Sequence, residues 1–151
     1  MIKDNNHKLT ESIFALKRAM FTHLYQSKSF SPERLIQYET LSFIDEQKKT
    51  CMKDLARLFG ITPPSVTCMI DKLETQKSLI REHDQQNRRN VYLRLTATGK
   101  NFLKKTRPQM AKLMIDFLKP LTDKDKEALI TIYQKIFNYY EDKYYAICKH
   151  S

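Results

Sequence analysis

The run CMKDLARLFGITPPSVTCMIDKLE, residues 51–74, leaves little freedom in how it folds. Leu55, Ala56, Leu58 and Phe59 form the apolar face of a short helix, and Gly60 can take the left-handed conformation that ends it. Thr62 is a natural N-cap, and Pro63 falls at the first helical position, where a missing N–H costs nothing. Val66, Met69, Ile70 and Leu73 then repeat at i, i+3, i+4 and i+7, the stripe of a second helix. Only FGIT separates the two, which is too short for anything but a tight helix pair.

The residues after the pair narrow the choice further. LIREH and VYLRLT alternate like short strands on either side of the polar loop DQQNRRN, residues 84–90. Helix, short turn, helix and basic hairpin is the order of a winged helix-turn-helix. Upstream, Ile13, Leu16, Met20 and Leu24 mark a helix over 10–26, and DEQKK reads as a polar break. Ser31, Pro32 and Glu33 open a second helix that runs to about Glu46, with Leu35, Tyr38 and Leu41 inward. Downstream, ATGKNFLKK begins a long helix with Phe102, Met110, Leu113, Met114, Phe117 and Leu118 as apolar positions, which Pro108 is expected to bend or interrupt. Thr122 caps a last helix striped by Leu129, Ile132, Tyr133, Ile136, Phe137 and Tyr140. Two glycines and five prolines in 151 residues agree with a mainly α fold carrying a small β wing.

Charge identifies the partner class. The formal net charge is +10, yet residues 48–107 hold 14 Lys/Arg against 5 Asp/Glu, and the other 91 residues hold 13 against 12. Solubility alone would not concentrate the excess in one segment, whereas a polyanion such as nucleic acid explains it. On the second helix of the pair, Pro64, Cys68, Asp71 and Thr75 face away from the core stripe, with Ser65, Thr67 and Lys72 on the flanks. The major groove, about 12 Å wide, admits one helix whose N-terminal residues read base edges. Thr62, Pro64, Ser65, Thr67, Cys68 and Lys72 are therefore the expected reading residues, and the helix N-terminus adds free N–H groups for a phosphate. Asp71 argues for an ordinary solvated face unless a cation pairs with it. At the hairpin tip, Asn87, Arg88 and Arg89 are placed to enter an adjacent minor groove, whose negative potential draws guanidinium groups. Arg81, Arg94, Lys100, Lys104 and Lys105 extend the positive surface on one side, and Lys48, Lys49, Lys53 and Arg57 flank it on the other.

MKDLARLFGITPPSVTCMIDKLE, together with REHDQQNRRNVYLRLTATGK, resembles the MarR/SlyA family of bacterial transcriptional regulators. VTCMIDKLE matches the family's recognition helix, and NRRNVYLRLTATG matches its wing and the subsequent L-T-x-x-G. Three positions depart from the pattern. Asn87 stands where the family usually has Asp, with Asp84 as a substitute partner for Arg89; Cys68 stands where Arg is frequent; and Lys77 or Ser78 replaces a helix-ending Gly. The resemblance implies one domain over 1–151, with a winged lobe at 30–100 and dimerisation helices at 8–28 and 101–147. It also implies a homodimer on double-stranded DNA with a palindromic operator. A small aromatic or phenolic effector would bind between the dimerisation helices and the DNA-binding lobe, at residues the sequence does not identify. Ile13, Leu16, Ile132, Ile136, Phe137 and Tyr140 are the expected dimer contacts; Tyr144 and Tyr145 add apolar surface, more than one small core needs. The alternative is that these helices pack on their own domain.

Other chemistries find less support. Cys51, Cys68 and Cys148 are too few and too far apart for a disulfide framework. Cys51, at a helix start among lysines, and Cys68, on the reading face, are the candidates for a redox-sensing regulator of the same fold. His7, His23, His83 and His150 lie on separate elements without metal spacing, leaving only a site assembled in space from His23 and carboxylates. No phosphate loop or nucleophile motif is present, so neither an enzyme nor a cofactor is expected. No apolar run approaches the ~20 residues of a bilayer span, and MIKDNNHK lacks the apolar stretch of a secretory signal, which favours a cytoplasmic protein. A non-specific architectural DNA binder is the rival from another class. RNA binding is disfavoured because the aromatics cluster away from the basic segment.

Overall fold

The computed structural model describes residues 2–26, 30–47, 49–85 and 91–148, with side chains between residues 4 and 140 of these. Lys48, Asn87, Arg88, Arg89 and His150 lie outside the described residues, as do the side chains of Tyr144, Tyr145 and Cys148. Two units divide the chain, Met1–Phe117 and Leu118–Ser151.

In the first unit the elements run α1 (Ile2–Gln26), α2 (Pro32–Glu46), β1 (Thr50–Cys51), α3 (Met52–Phe59), α4 (Pro63–Thr75), β2 (Leu79–His83), β3 (Val91–Leu95) and α5 (Ala97–Phe117). α1 starts well before the expected residue 10. α2 begins as its sequence dictates: the Ser31 hydroxyl accepts from the Arg34 N–H at 3.3 Å, and Pro32 occupies the first turn.

The three strands form an antiparallel sheet in the order β1-β3-β2. β2 and β3 pair from Leu79↔Leu95 to His83↔Val91 as the two arms of a hairpin. β1 was not foreseen, since Thr50 and Cys51 pair only with the distant Leu93 and Tyr92. Leu41, Ile44, Leu55, Val66, Ile70, Leu73, Leu79, Leu93, Leu95 and Leu103 make one core. It is the shared burial surface of α2, α3, α4, α5 and the sheet. A second cluster of Leu24, Phe30, Leu35 and Met110 joins α1, α2 and α5.

Three details correct the sequence reading. Leu58 is 47% exposed, because α3 turns Leu55 inward, flanked by the partly buried Met52, Ala56 and Phe59. α5 runs through Pro108 without interruption. Its buried line is Gly99, Leu103, Thr106 and Met110, with Phe102 only half-buried.

The second unit contains α6 (Asp123–Cys148). Thr122 caps it reciprocally with Asp125: the Asp125 N–H donates to Thr122 Oγ1 at 3.2 Å, and the Thr122 N–H donates to Asp125 Oδ2 at 3.0 Å. Among the described residues of the chain, no helix is long and apolar enough to cross a membrane.

Candidate nucleic-acid interface

α3 ends on Gly60 at φ 62°, ψ 34°. The Ile61 N–H reaches Ala56 O at 3.2 Å and the Gly60 N–H reaches Arg57 O, the paired bonds of a Schellman cap. The chain reverses here and enters α4 through Thr62.

The first turn of α4 offers less to an anion than its sequence suggested. Pro63 and Pro64 carry no N–H, and the Val66 N–H is already bonded to Thr62 O at 3.1 Å. Only the Ser65 N–H of this first turn lies outside that ladder. Thr62 does not cap through its side chain; its hydroxyl meets Ser65 Oγ at 3.0 Å. The expected faces of α4 are otherwise realised. Val66, Ile70 and Leu73 are buried, whereas Thr62, Pro64, Ser65, Thr67, Cys68, Asp71 and Lys72 are exposed.

The far end of α4 identifies the residue standing where a glycine was expected. It is Lys77, at φ 56°, and not Ser78. The Ser78 N–H donates to Leu73 O at 2.9 Å and the Lys77 N–H to Glu74 O at 2.8 Å, a second Schellman cap with a lysine in the left-handed position. Thr96, the single residue between β3 and α5, grips this cap. Its N–H donates to Ser78 O at 3.1 Å and its hydroxyl donates to Lys77 O, while the same hydroxyl accepts from the Gly99 N–H at 3.2 Å. A Cβ on Gly99 would stand 2.1 Å from Ser78 O, so the glycine of LTATG is required by close approach.

Electrostatics around α4 differ from the expected continuous positive surface. Arg81 of β2 forms ion pairs with Asp71 (2.6 Å) and with Glu74. Arg94 pairs with Glu82 across the sheet at 2.6 Å. Neither guanidinium therefore adds an uncompensated charge, because each faces a carboxylate from a neighbouring element. The Arg81 pair also removes the objection raised by Asp71, whose carboxylate has a cation beside it. At the other edge Lys49 lies 3.8 Å from Asp84 and 4.8 Å from the centre of the Tyr92 ring. Asp84, the proposed substitute partner for Arg89, thus already has a cation.

Cys51 does not have the lowered pKa that its lysine neighbours suggested. Burial pushes its thiol up, and Asp54 adds to the rise; the Asp54 carboxylate accepts from the Cys51 N–H at 2.7 Å. Cys68 is exposed.

A cavity of about 570 Å³ lies between α2 and α4, and Ser65, Cys68, Met69 and Lys72 form its α4 wall. Arg34 lines it too, with its guanidinium 5.1 Å from the Phe30 ring centre and 5.9 Å from that of Phe102. Helical periodicity shows neither the cavity nor this stacking, both of which need two elements to meet. His23 of α1 packs against Phe117 (ring centres 5.6 Å apart), and its Nε2 is buried with no hydrogen-bond partner. Among the described residues, no three His, Cys, Asp or Glu side chains gather as a metal site. Ile13, Leu16, Ile132, Ile136, Phe137 and Tyr140 are all exposed.

Residues 35–91 match the MarR family model. The HTH-type transcriptional regulator YkoM of Bacillus subtilis (strain 168) is 29% identical over 106 residues, which cover 70% of this chain and 67% of YkoM. BpsR of Bordetella bronchiseptica, whose DNA binding is regulated by 6-hydroxynicotinic acid, aligns with a TM-score of 0.68 at 17% identity, covering 85% of this chain and 98% of its own. A mutant MarR from E. coli complexed with operator DNA aligns at 0.67 and 17% identity, covering 85% and 92%. At such identities the structural likeness shows the winged-helix fold.

Proposed function

We propose that this chain, whose residues 35–91 match the MarR family model, is a DNA-binding transcriptional regulator of that family and a homodimeric, effector-released repressor. The observation that carries this reading is the exposed outer face of α4, held by two caps beside a hairpin inside the one strongly cationic segment. Thr62, Pro64, Ser65, Thr67, Cys68 and Lys72 read the major groove, and Asn87, Arg88 and Arg89 follow the flanking minor groove.

Dimerisation is supported by surface that water would not favour. α1 exposes Leu9, Ile13, Phe14 and Leu16, and α6 exposes Ile132, Ile136, Phe137 and Tyr140, each about half accessible or more. Covering these faces with a second copy explains them, and a two-fold dimer presents two α4 helices to half-sites about 10 bp apart on a palindrome.

The effector is a small aromatic or phenolic molecule. The buried, unpartnered Nε2 of His23 beside Phe117 supports a polar handle for it in the first unit. A tenfold loss of DNA affinity requires the effector to favour the released state by about 1.4 kcal/mol.

Selecting duplexes from a random pool tests the whole reading. A symmetric site preferred by at least ~10³ over random duplex is expected. Replacing Arg88 and Arg89 with alanine should lower affinity and reduce the salt slope by up to about two phosphate equivalents. A monomer in solution, or equal affinity for every duplex, would sink the proposal.

A further inference from the structure

Two contact types carry most hydrogen-bonded base reading in the major groove. Guanine O6 and N7 take a bidentate Arg or a Lys, and adenine N6 and N7 take Asn or Gln. The thirteen residues of α4, PPSVTCMIDKLET, contain no Arg, Asn or Gln and a single Lys. Lys72 is exposed at the edge of the α2–α4 cavity, which it lines with Cys68, Glu33 and Gln37. The Glu33 carboxyl is held low chiefly by its hydrogen bond with Ser31, and the Lys72 charge adds to the effect. Arg81, the guanidinium tied to this helix, already has Asp71 and Glu74 as partners.

The hydroxyls are partly engaged as well. Thr67 Oγ1 donates to Pro63 O at 3.1 Å, Thr75 Oγ1 donates to Asp71 O at 2.8 Å, and the Thr62 and Ser65 hydroxyls bond to each other. Asp71 retains acceptor capacity for a cytosine amino group, but it lies eight residues past Pro63, about 12 Å along the helix. The N-terminal half, which enters the groove, presents the ring of Pro64, the methyl of Thr67 and the thiol of Cys68, a group that behaves as a small apolar surface. Only one base carries an apolar feature in the major groove: thymine, with its C5 methyl.

We infer that the sites this chain selects are thymine-rich beneath α4, and that Pro64, Thr67 and Cys68 recognise them by packing on thymine methyls. The inference rests on α4 being the reading helix and specifies what that helix reads.

The test starts from the duplexes selected by the full chain and replaces thymine with deoxyuridine under α4. Uracil keeps the pairing and the minor groove and lacks only the methyl, so contacts elsewhere are untouched. Affinity should fall about fourfold per contacted methyl, and more than tenfold when both half-sites are changed. Thr67→Ser keeps the hydroxyl and drops the methyl, so it should abolish the uracil penalty at one base. Cys68→Arg should bring a guanine into the selected half-site. Specific binding with equal affinity for the thymine and uracil duplexes, or selected sites with fixed G·C pairs beneath α4, overturns the inference while leaving the regulator reading standing. No binding to any duplex at low ionic strength removes the reading helix itself, and the inference with it.

Discussion

Gly99→Ala is the substitution whose sign separates local from tertiary reasoning. Gly99 is the third residue of α5, and helix propensity alone makes alanine there stabilising by about 0.5–1 kcal/mol. The structure requires the opposite. The added methyl would lie 2.1 Å from Ser78 O and must retreat by about 0.9 Å to reach even the tight limit of 3.0 Å. What it meets is backbone, so no side-chain rotation relieves the contact. Moving Ser78 lengthens the Thr96 N–H bond to its carbonyl and disturbs the Ser78 N–H bond to Leu73 O. Moving α5 pulls Thr96 off Lys77. Two or three hydrogen bonds of about 1 kcal/mol each are at stake, so a net loss of roughly 1–2.5 kcal/mol is expected after the propensity gain. Against a total of about 5–15 kcal/mol this is substantial, and it should lower Tm by about 2–10 °C. Urea unfolding of both proteins at matched concentration, monitored by circular dichroism, measures it. A variant as stable as the parent, or more so, would refute the close-approach argument.

Lys77→Gly should act in the other direction. Relieving a left-handed lysine recovers about 1–2 kcal/mol, partly offset by the greater unfolded freedom of glycine, for a gain near 0.5–1 kcal/mol in the same unfolding assay. Arg81→Gln should weaken DNA binding several-fold at low salt by leaving Asp71 and Glu74 unpaired beside phosphates, and adding Asp71→Asn should restore part of the loss in a titration by fluorescence anisotropy. Because the Cys51 thiol is raised, its thiolate fraction at pH 7.5 falls below that of an ordinary cysteine. Cys68 should therefore alkylate first when labelling is monitored by mass spectrometry, and faster labelling of Cys51 would contradict its burial. Ile136→Glu on α6 should shift the protein towards monomer in sedimentation velocity while leaving its far-ultraviolet spectrum intact.

The parts of this fold that could be read from sequence are those written in neighbouring residues. Ser31-Pro32, Gly60 and Thr62-Pro63 announce helix ends because a cap needs only the adjacent backbone. The alternation of Val91, Leu93 and Leu95 announces a strand because one face is buried. The misses share a different origin. β1 exists only because Leu93 and Tyr92 lie alongside it, and two residues carry no period. Lys77 and Ser78 were indistinguishable because a left-handed lysine leaves no compositional trace. Arg81 and Arg94 looked like interface charge because their carboxylates come from another helix and another strand. Family likeness pointed to the glycine of LTATG, but its reason, the carbonyl of Ser78, is a contact across 21 positions of chain.

Thr96 leaves the joint between β3 and α5 without slack. One residue spans it, and that residue is pinned to the carbonyls of Lys77 and Ser78, directly after α4. A tilt of α5 consequently has no loose segment in which to dissipate. It must pull on the end of α4 and on the root of the hairpin together, so the long helix works as a lever on both elements at once.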